Sequence, residues 1–223
     1  MKTLKAILGV LVAAVGVSLN AWGQQSAALE MQQWPEGKVV LTDGSIIYGP
    51  LTLYQSKDVI NVQNEDGSIS AFSPVHVQYF VAQDQPSGRS YLFRTLPWDM
   101  GRTNSDFKKP TFFEQLNQGP LTLMRREVPM NPEPNYPSSL YGRNSYAAPG
   151  SYPVGYAPTE QAQEVYYMLL PNGEIVALHN VRRDLYKLFG KKAGKVKAYV
   201  KEHRLSFDRP YMLIAIVNYF NSL

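Results

Sequence analysis

The sequence predicts an α+β fold: an N-terminal antiparallel unit resembling a small β-barrel, extended by a later hairpin, then a C-terminal helical cluster. Three observations predict it. Asp43-Gly44 and Asp66-Gly67 each sit between two short runs of β-formers, and Asn172-Gly173 does the same later in the chain. Asp-Gly and Asn-Gly between β-formers are strong hairpin signals, because such tight turns need backbone that glycine adopts without steric cost. From Asn180 onward the pattern changes, and Val181, Leu185, Leu188 and Phe189 fall at helical spacing.

Taken in order, Lys38–Leu41 and Ser45–Tyr48 flank the first turn, and Asp58–Val62 and Ser68–Phe72 flank the second. Val75, Val77, Tyr79 and Val81 alternate with polar or aromatic residues, which places them on one face of a further strand. Five short strands in so few residues fit a small barrel or half-barrel. Ser90–Arg94 is a sixth strand, and the stretch carrying Pro97, Gly101 and Pro110 reads as loop. Thr111 to Leu116 reads as one helical turn, with Thr111 as N-cap and Glu114 in capping-box position. Leu121 to Val128 is a strand.

Pro129 to Gln163 carries seven of the 16 prolines and five of the 15 tyrosines. Proline removes backbone donors and forbids helix, so this segment is expected to be a mobile loop. Leu121–Val128 and Glu164–Leu170 end and begin at its two edges, and the economical arrangement pairs them as neighbours. Pro171-Asn172-Gly173-Glu174 then turns the chain into Ile175–Leu178. Asn180 caps a helix over Val181–Phe189 that stops at Gly190. Val196, Tyr199, Val200 and His203 form the stripe of a second helix, with Lys195, Lys197 and Lys201 on its wet side. The last helix starts near Asp208 and is apolar all round from Tyr211 to Val217, the profile of a buried element.

The N-terminus speaks to location. Lys2 and Lys5 precede the apolar run Ala6–Val17, and Ala21-Trp22-Gly23 supplies small residues around a cleavage point, the layout of a secretory signal peptide over residues 1–23. The expected organisation is therefore a signal peptide (1–23), a β unit (24–128), the Pro/Tyr-rich loop (129–163), and a hairpin with helices (164–223). The chain has no cysteine, which excludes disulfides, thiol nucleophiles and a lipid-modified cysteine anchor. No apolar run in the mature chain reaches the roughly 20 residues that a membrane helix needs.

Charge is uneven. Arg182, Arg183, Lys187, Lys191, Lys192, Lys195, Lys197, Lys201, Arg204 and Arg209 face only Asp184, Glu202 and Asp208 within the same span, a local +7. The mature chain carries 20 basic and 18 acidic residues, so the remainder is −5. Gly190-Lys191-Lys192-Ala193-Gly194-Lys195-Val196 resembles a phosphate-binding loop, but its second glycine is one residue early, Val196 replaces the hydroxyl residue, and a helix precedes it. It reads as a turn between basic helices. His76, His179 and His203 lack the spacing of metal ligands, and no cofactor is expected. Asp99, Asp106 and Glu114 lie near one another in sequence, and two carboxylates suffice for a glycosidase, so a hydrolase remains the third reading.

Leu41-Thr42-Asp43-Gly44 with Tyr48-Gly49, Phe72-Ser73-Pro74 with Val77-Gln78-Tyr79-Phe80, Phe112-Phe113-Glu114-Gln115-Leu116 with Gly119, and Tyr166-Tyr167 with Gly173 resemble a broad set of uncharacterised signal-bearing proteins of Bacteroidota. The resemblance implies an exported, periplasmic or extracellular protein and no activity. The first functional reading is a non-enzymatic envelope module binding another protein or a glycan, with Tyr141, Tyr146, Tyr152 and Tyr156 as contact residues. The second is a binder of anionic polymer or membrane surface through Lys195, Lys197 and Lys201. Export makes a nucleic acid partner unexpected.

Overall fold

The computed structural model describes residues 31–100, 106–130 and 161–223. The expected signal peptide (1–23) and most of the expected mobile loop, with Tyr141, Tyr146, Tyr152 and Tyr156, lie outside these residues. Among the described residues twelve strands dominate: β1 (Met31–Trp34), β2 (Glu36–Leu41), β3 (Ile46–Tyr48), β4 (Leu51–Tyr54), β5 (Val59–Gln63), β6 (Ile69–Phe72), β7 (Val77–Gln83), β8 (Ser90–Trp98), β9 (Lys109–Gln115), β10 (Thr122–Met130), β11 (Gln161–Leu169) and β12 (Ile175–Ala177). Three helices follow, α1 (Val181–Phe189), α2 (Ala193–Glu202) and α3 (Pro210–Ser222).

The class is α+β, but the strands form two open antiparallel sheets instead of the expected barrel. One has the order β1-β4-β5-β6 and the other β12-β11-β10-β9-β8-β7-β2-β3. The two Asp-Gly hairpins form as read and then part company, β2–β3 in the large sheet and β5–β6 in the small one. The switch is made at Gly49-Pro50. Gly49 has φ +154, and a Cβ there would run into the Gln63 carbonyl oxygen, so only glycine turns the chain from β3 into β4. β1 and β4 are absent from the sequence reading because four residues each give too little alternation to register.

The small sheet packs on one face of the large one. Leu51, Leu53, Ile60, Val62 and Trp34 meet Val39, Phe80, Ala82, Phe93 and Phe112 in a continuous apolar layer. Phe80 stacks on Phe93 at 4.5 Å, and Phe112 meets Phe80 edge-on at 5.3 Å. The expected single face of Val75, Val77, Tyr79 and Val81 is overturned by a bulge. Val40 faces Tyr79 while Leu41 faces Val77, so Gln78 is an extra residue that flips the parity of the strand. Val77, Phe80 and Ala82 are consequently the buried set, and Val75 is exposed.

Thr111 to Leu116 is not a helical turn: it runs from β9 into the turn after it. Thr111, Phe112, Phe113 and Glu114 are all buried, as in a strand covered on both faces, and Phe112 and Phe113 enter different cores. The expected loop gives way to strand at its two ends only, with Pro97 opposite Pro110, while the described residues between Trp98 and Lys109 are not strand. Two facing prolines can only form a pair without mutual hydrogen bonds, and their nitrogens point to the outer margins of the hairpin, where β7 and β10 no longer run alongside.

β10 and β11 pair over nine residues, from Thr122 opposite Leu169 to Met130 opposite Gln161. The two edges of the Pro/Tyr segment are neighbours as expected, but the ladder runs on into both ends of the segment expected as loop, taking in Pro129, Met130 and Gln161 to Gln163. Asn180 accepts from the Arg183 backbone N–H at 3.0 Å to cap α1, and Gly190 ends it. Leu121, Leu123 and Met168 of the sheet region pack with Leu185, Phe189, Val196, Leu213, Ile216 and Val217 of the helices. α3 is buried along one stripe only. Tyr211 is exposed, which corrects the expectation of a helix buried all round. Its Asn221 accepts from the Leu121 N–H at 3.0 Å and donates to the Leu121 carbonyl at 2.8 Å, fixing the C-terminus to the turn before β10.

Candidate functional site

The large sheet contains a fork. β9 and β10 are paired only at Gln115–Met124 and Glu114–Arg125, beyond which the ladder lapses. By register Phe112 and Glu127 would exchange the next hydrogen bonds, and both groups find other partners. The Arg126 guanidinium donates to the Phe112 carbonyl, and the Glu127 N–H donates to Gln55 Oε1 at 3.1 Å. Buried backbone groups must be paired somewhere, and here side chains replace the missing strand contact.

Gln55 belongs to the turn between β4 and β5, and the same turn supplies Asp58 at φ +50. Asp58 is 5% exposed. Its carboxylate accepts from Arg126 Nη1 at 2.8 Å and from Lys109 Nζ at 3.3 Å. The Arg126 guanidinium also lies over the rings of Phe113 and Trp98, at 5.4 and 5.7 Å. Trp98, Phe113 and Tyr167 meet edge-on at 5.1 to 5.5 Å, on the face opposite the small sheet. Gln32 of β1 adds a hydrogen bond to Glu127 at 2.9 Å. The small sheet is thus bound to β9 and β10 by a polar seam in addition to its apolar layer.

A second ionic cluster crosses three strands. Arg125 donates from Nε and Nη2 to Glu114 at 2.8 and 2.5 Å and from Nη1 to Glu164 at 2.7 Å. Tyr166, opposite Arg125 on β11, donates to Glu164 at 2.9 Å. Burial raises the Glu114 carboxyl above its ordinary range despite the adjacent Arg125. Burial, then the hydrogen bond to Glu164, pushes the Tyr166 phenol up to about 12, so it stays neutral at physiological pH. One arginine occupies both carboxylates, an arrangement that ties strands together.

Of the three carboxylates considered for hydrolysis, only Glu114 lies in this cluster. Asp99 is six residues beyond Phe93, the partner of Glu114, and so about 20 Å along the hairpin at ~3.3 Å per residue. Asp106 lies toward the same far end. Glu114 and Asp99 are therefore too far apart for the roughly 5 to 9.5 Å spacing that glycoside hydrolysis needs. Among the described residues no group of three His, Asp or Glu side chains could hold a metal ion.

Lys195, Lys197 and Lys201 are all exposed on α2. Lys197 and Lys201 share a side of the helix, whereas Lys195 points elsewhere by its spacing. Lys197 also lies over the Tyr186 ring of α1 at 5.2 Å. Sequence reading missed a surface at the opposite end of the molecule. β3 is a margin of the large sheet, and its Tyr48 and Ile46 are 65% and 48% exposed. Leu41 bonds to Ser45 and Gly49 to Gly37, so the alternation of an antiparallel ladder directs the backbone groups of Ile46 and Tyr48 to the open margin. Beside Tyr48 lies an open groove of about 560 Å³, with Pro35, Glu36, Lys38, Pro50 and Gln83 among its walls.

No protein-family model, no curated protein and no solved structure matches this chain.

Proposed function

We propose that this chain is an exported, non-enzymatic interaction module of the bacterial cell envelope, of the kind suggested by its resemblance to signal-bearing proteins of Bacteroidota. Its ligand is an extended segment of another envelope protein, laid along β3. The observation that carries this reading is the β3 margin, where outward backbone groups, exposed Ile46 and Tyr48, and a proline-walled groove occur together. A strand added to a sheet edge gains main-chain hydrogen bonds, and flanking pockets choose its side chains. Edge strands are ordinarily blunted by charge or proline, and β3 carries neither. The ionic clusters support the same reading, since their charged groups are engaged with one another across strands.

A photocrosslinking residue at position 48 in the cell of origin, with position 211 as control, tests this. Adduct to one envelope protein from position 48 alone is expected, abolished by Ile46→Lys while the thermal midpoint stays within about 2 °C. Equal labelling from both positions, or none, refutes the reading.

A further inference from the structure

We infer that the outer side of the helical layer is a docking surface for an anionic phospholipid membrane. All ten basic residues between Arg182 and Arg209 are exposed. Among the described residues the only ion pair that any of them makes is Arg183 with Asp184, at 3.1 Å. Asp184 is also engaged by the cap of α1, accepting from the Asn180 N–H at 2.8 Å, and Asp208 accepts from Ser206 at 3.0 Å.

An ordinary solvated helix face intersperses acids and bases, so that residues four apart attract. Here Arg183 and Lys187 in α1, and Lys197 and Lys201 in α2, are like charges at that spacing and repel. Among the described residues no carboxylate outside this span forms an ion pair with them. The charge is complementary to something outside the chain.

The distribution selects a surface over a strand-like polymer. The basic groups are spread over α1, α2 and the connection to α3, all exposed and pointing in more than one direction, instead of lining one cleft. The exposed ring of Tyr211 stands at the edge of the same region, its hydroxyl accepting from Arg209 at 3.4 Å. Basic side chains with an amphipathic aromatic are the equipment of an interfacial contact. The ammonium groups of Lys192 and Lys197 lie over the rings of Phe220 and Tyr186, at 5.4 and 5.2 Å, and both residues stay exposed.

Sedimentation of the full mature chain with vesicles of phosphatidylcholine containing 30% phosphatidylglycerol tests this, against vesicles of phosphatidylcholine alone. Binding to the anionic vesicles only is expected, lost between low and high salt as screening sets in. Replacing Lys195, Lys197 and Lys201 by Gln should lower the partition constant about a hundredfold, at ~1 kcal/mol per basic residue near such a surface. Circular dichroism should show the same thermal midpoint, which separates lost charge from lost fold. Replacing Lys38, Lys57 and Lys108 by Gln controls for net charge and should have at most a small effect. The proposal falls if the anionic vesicles do not bind the chain at low salt, if both triple variants weaken binding equally, or if soluble polyanion binds while vesicles do not.

Discussion

Arg126 and Asp58, 68 residues apart in sequence, meet at 2.8 Å where β9 and β10 separate. The pair joins the small sheet to the large one at a place where the backbone ladder cannot. A buried ion pair contributes little against an apolar substitute, but breaking it from one side leaves an uncompensated charge.

Asp58→Asn should therefore destabilise the protein by about 3 kcal/mol, since it keeps a residue tolerant of positive φ and removes only the charge. Arg126→Met with Asp58→Asn should recover at least half of that loss. Urea unfolding of the two single variants and the double variant gives the coupling. Additive losses would mean that the pair does not hold the seam.

Glu114 sets a pH dependence of opposite sign to that of an ordinary paired carboxylate. Its folded pKa lies above the ordinary 4.5 because of burial, so the folded state holds the proton more tightly than the unfolded chain does. The stability linked to this group is present below pH 4.5 and is lost as pH rises through its folded pKa. Thermal midpoints of the protein and of Glu114→Gln should therefore converge as pH is lowered from 7 toward 4, if the neutral amide escapes the burial cost of the charge. A gap that widens on acidification would show that pairing with Arg125 outweighs burial.

The helices and turns were legible in the sequence because their signals are local. Asn180 and Gly190 bracket α1, and Asn172-Gly173 turns β11 into β12. Three misreadings have one cause, namely that neighbours supplied by the fold override a local pattern. Phe112-Phe113 looks helical until both faces of the sheet are covered, Pro97 and Pro110 look like loop until they face each other, and a single extra residue at Gln78 reverses a strand's parity. The seam left no sequence trace at all. Asp58 looked like the first residue of a strand, and nothing near it names Arg126. Glu114 drew attention as a carboxylate, but its role depends on Arg125 and Glu164, which only register brings together.

Gly49→Ala should cost more than Gly44→Ala although both positions have positive φ. At Gly44, φ is +87 and a methyl meets nothing within 4 Å, so only the backbone penalty of about 1 to 2 kcal/mol applies. At Gly49 the methyl would also strike the carbonyl of Gln63, a residue held by its own N–H donating to the Pro50 carbonyl at 3.0 Å and by its pairing with Ile69. A total above about 3 kcal/mol is expected there. Equal losses in chemical denaturation would mean that the sheet switch at Gly49-Pro50 is not close-packed.

The nine-residue β10–β11 ladder predicts that the chain survives being cut. A protease site inserted between residues 140 and 150 leaves one fragment ending after β10 and another starting before β11. These strands share a ladder from Thr122–Leu169 to Met130–Gln161, and Leu123 and Met168 pack with α1, α2 and α3 on one face. On the other face Met124 packs with Tyr167, so separation would expose two apolar cores. The cut protein should elute from gel filtration as one species without denaturant. Met168→Ala, which empties a fully buried position, should lower stability by about 2 to 5 kcal/mol and make the cut fragments part at low concentration. Fragments that separate at neutral pH in the parent protein would refute the continuity of the large sheet across this connection.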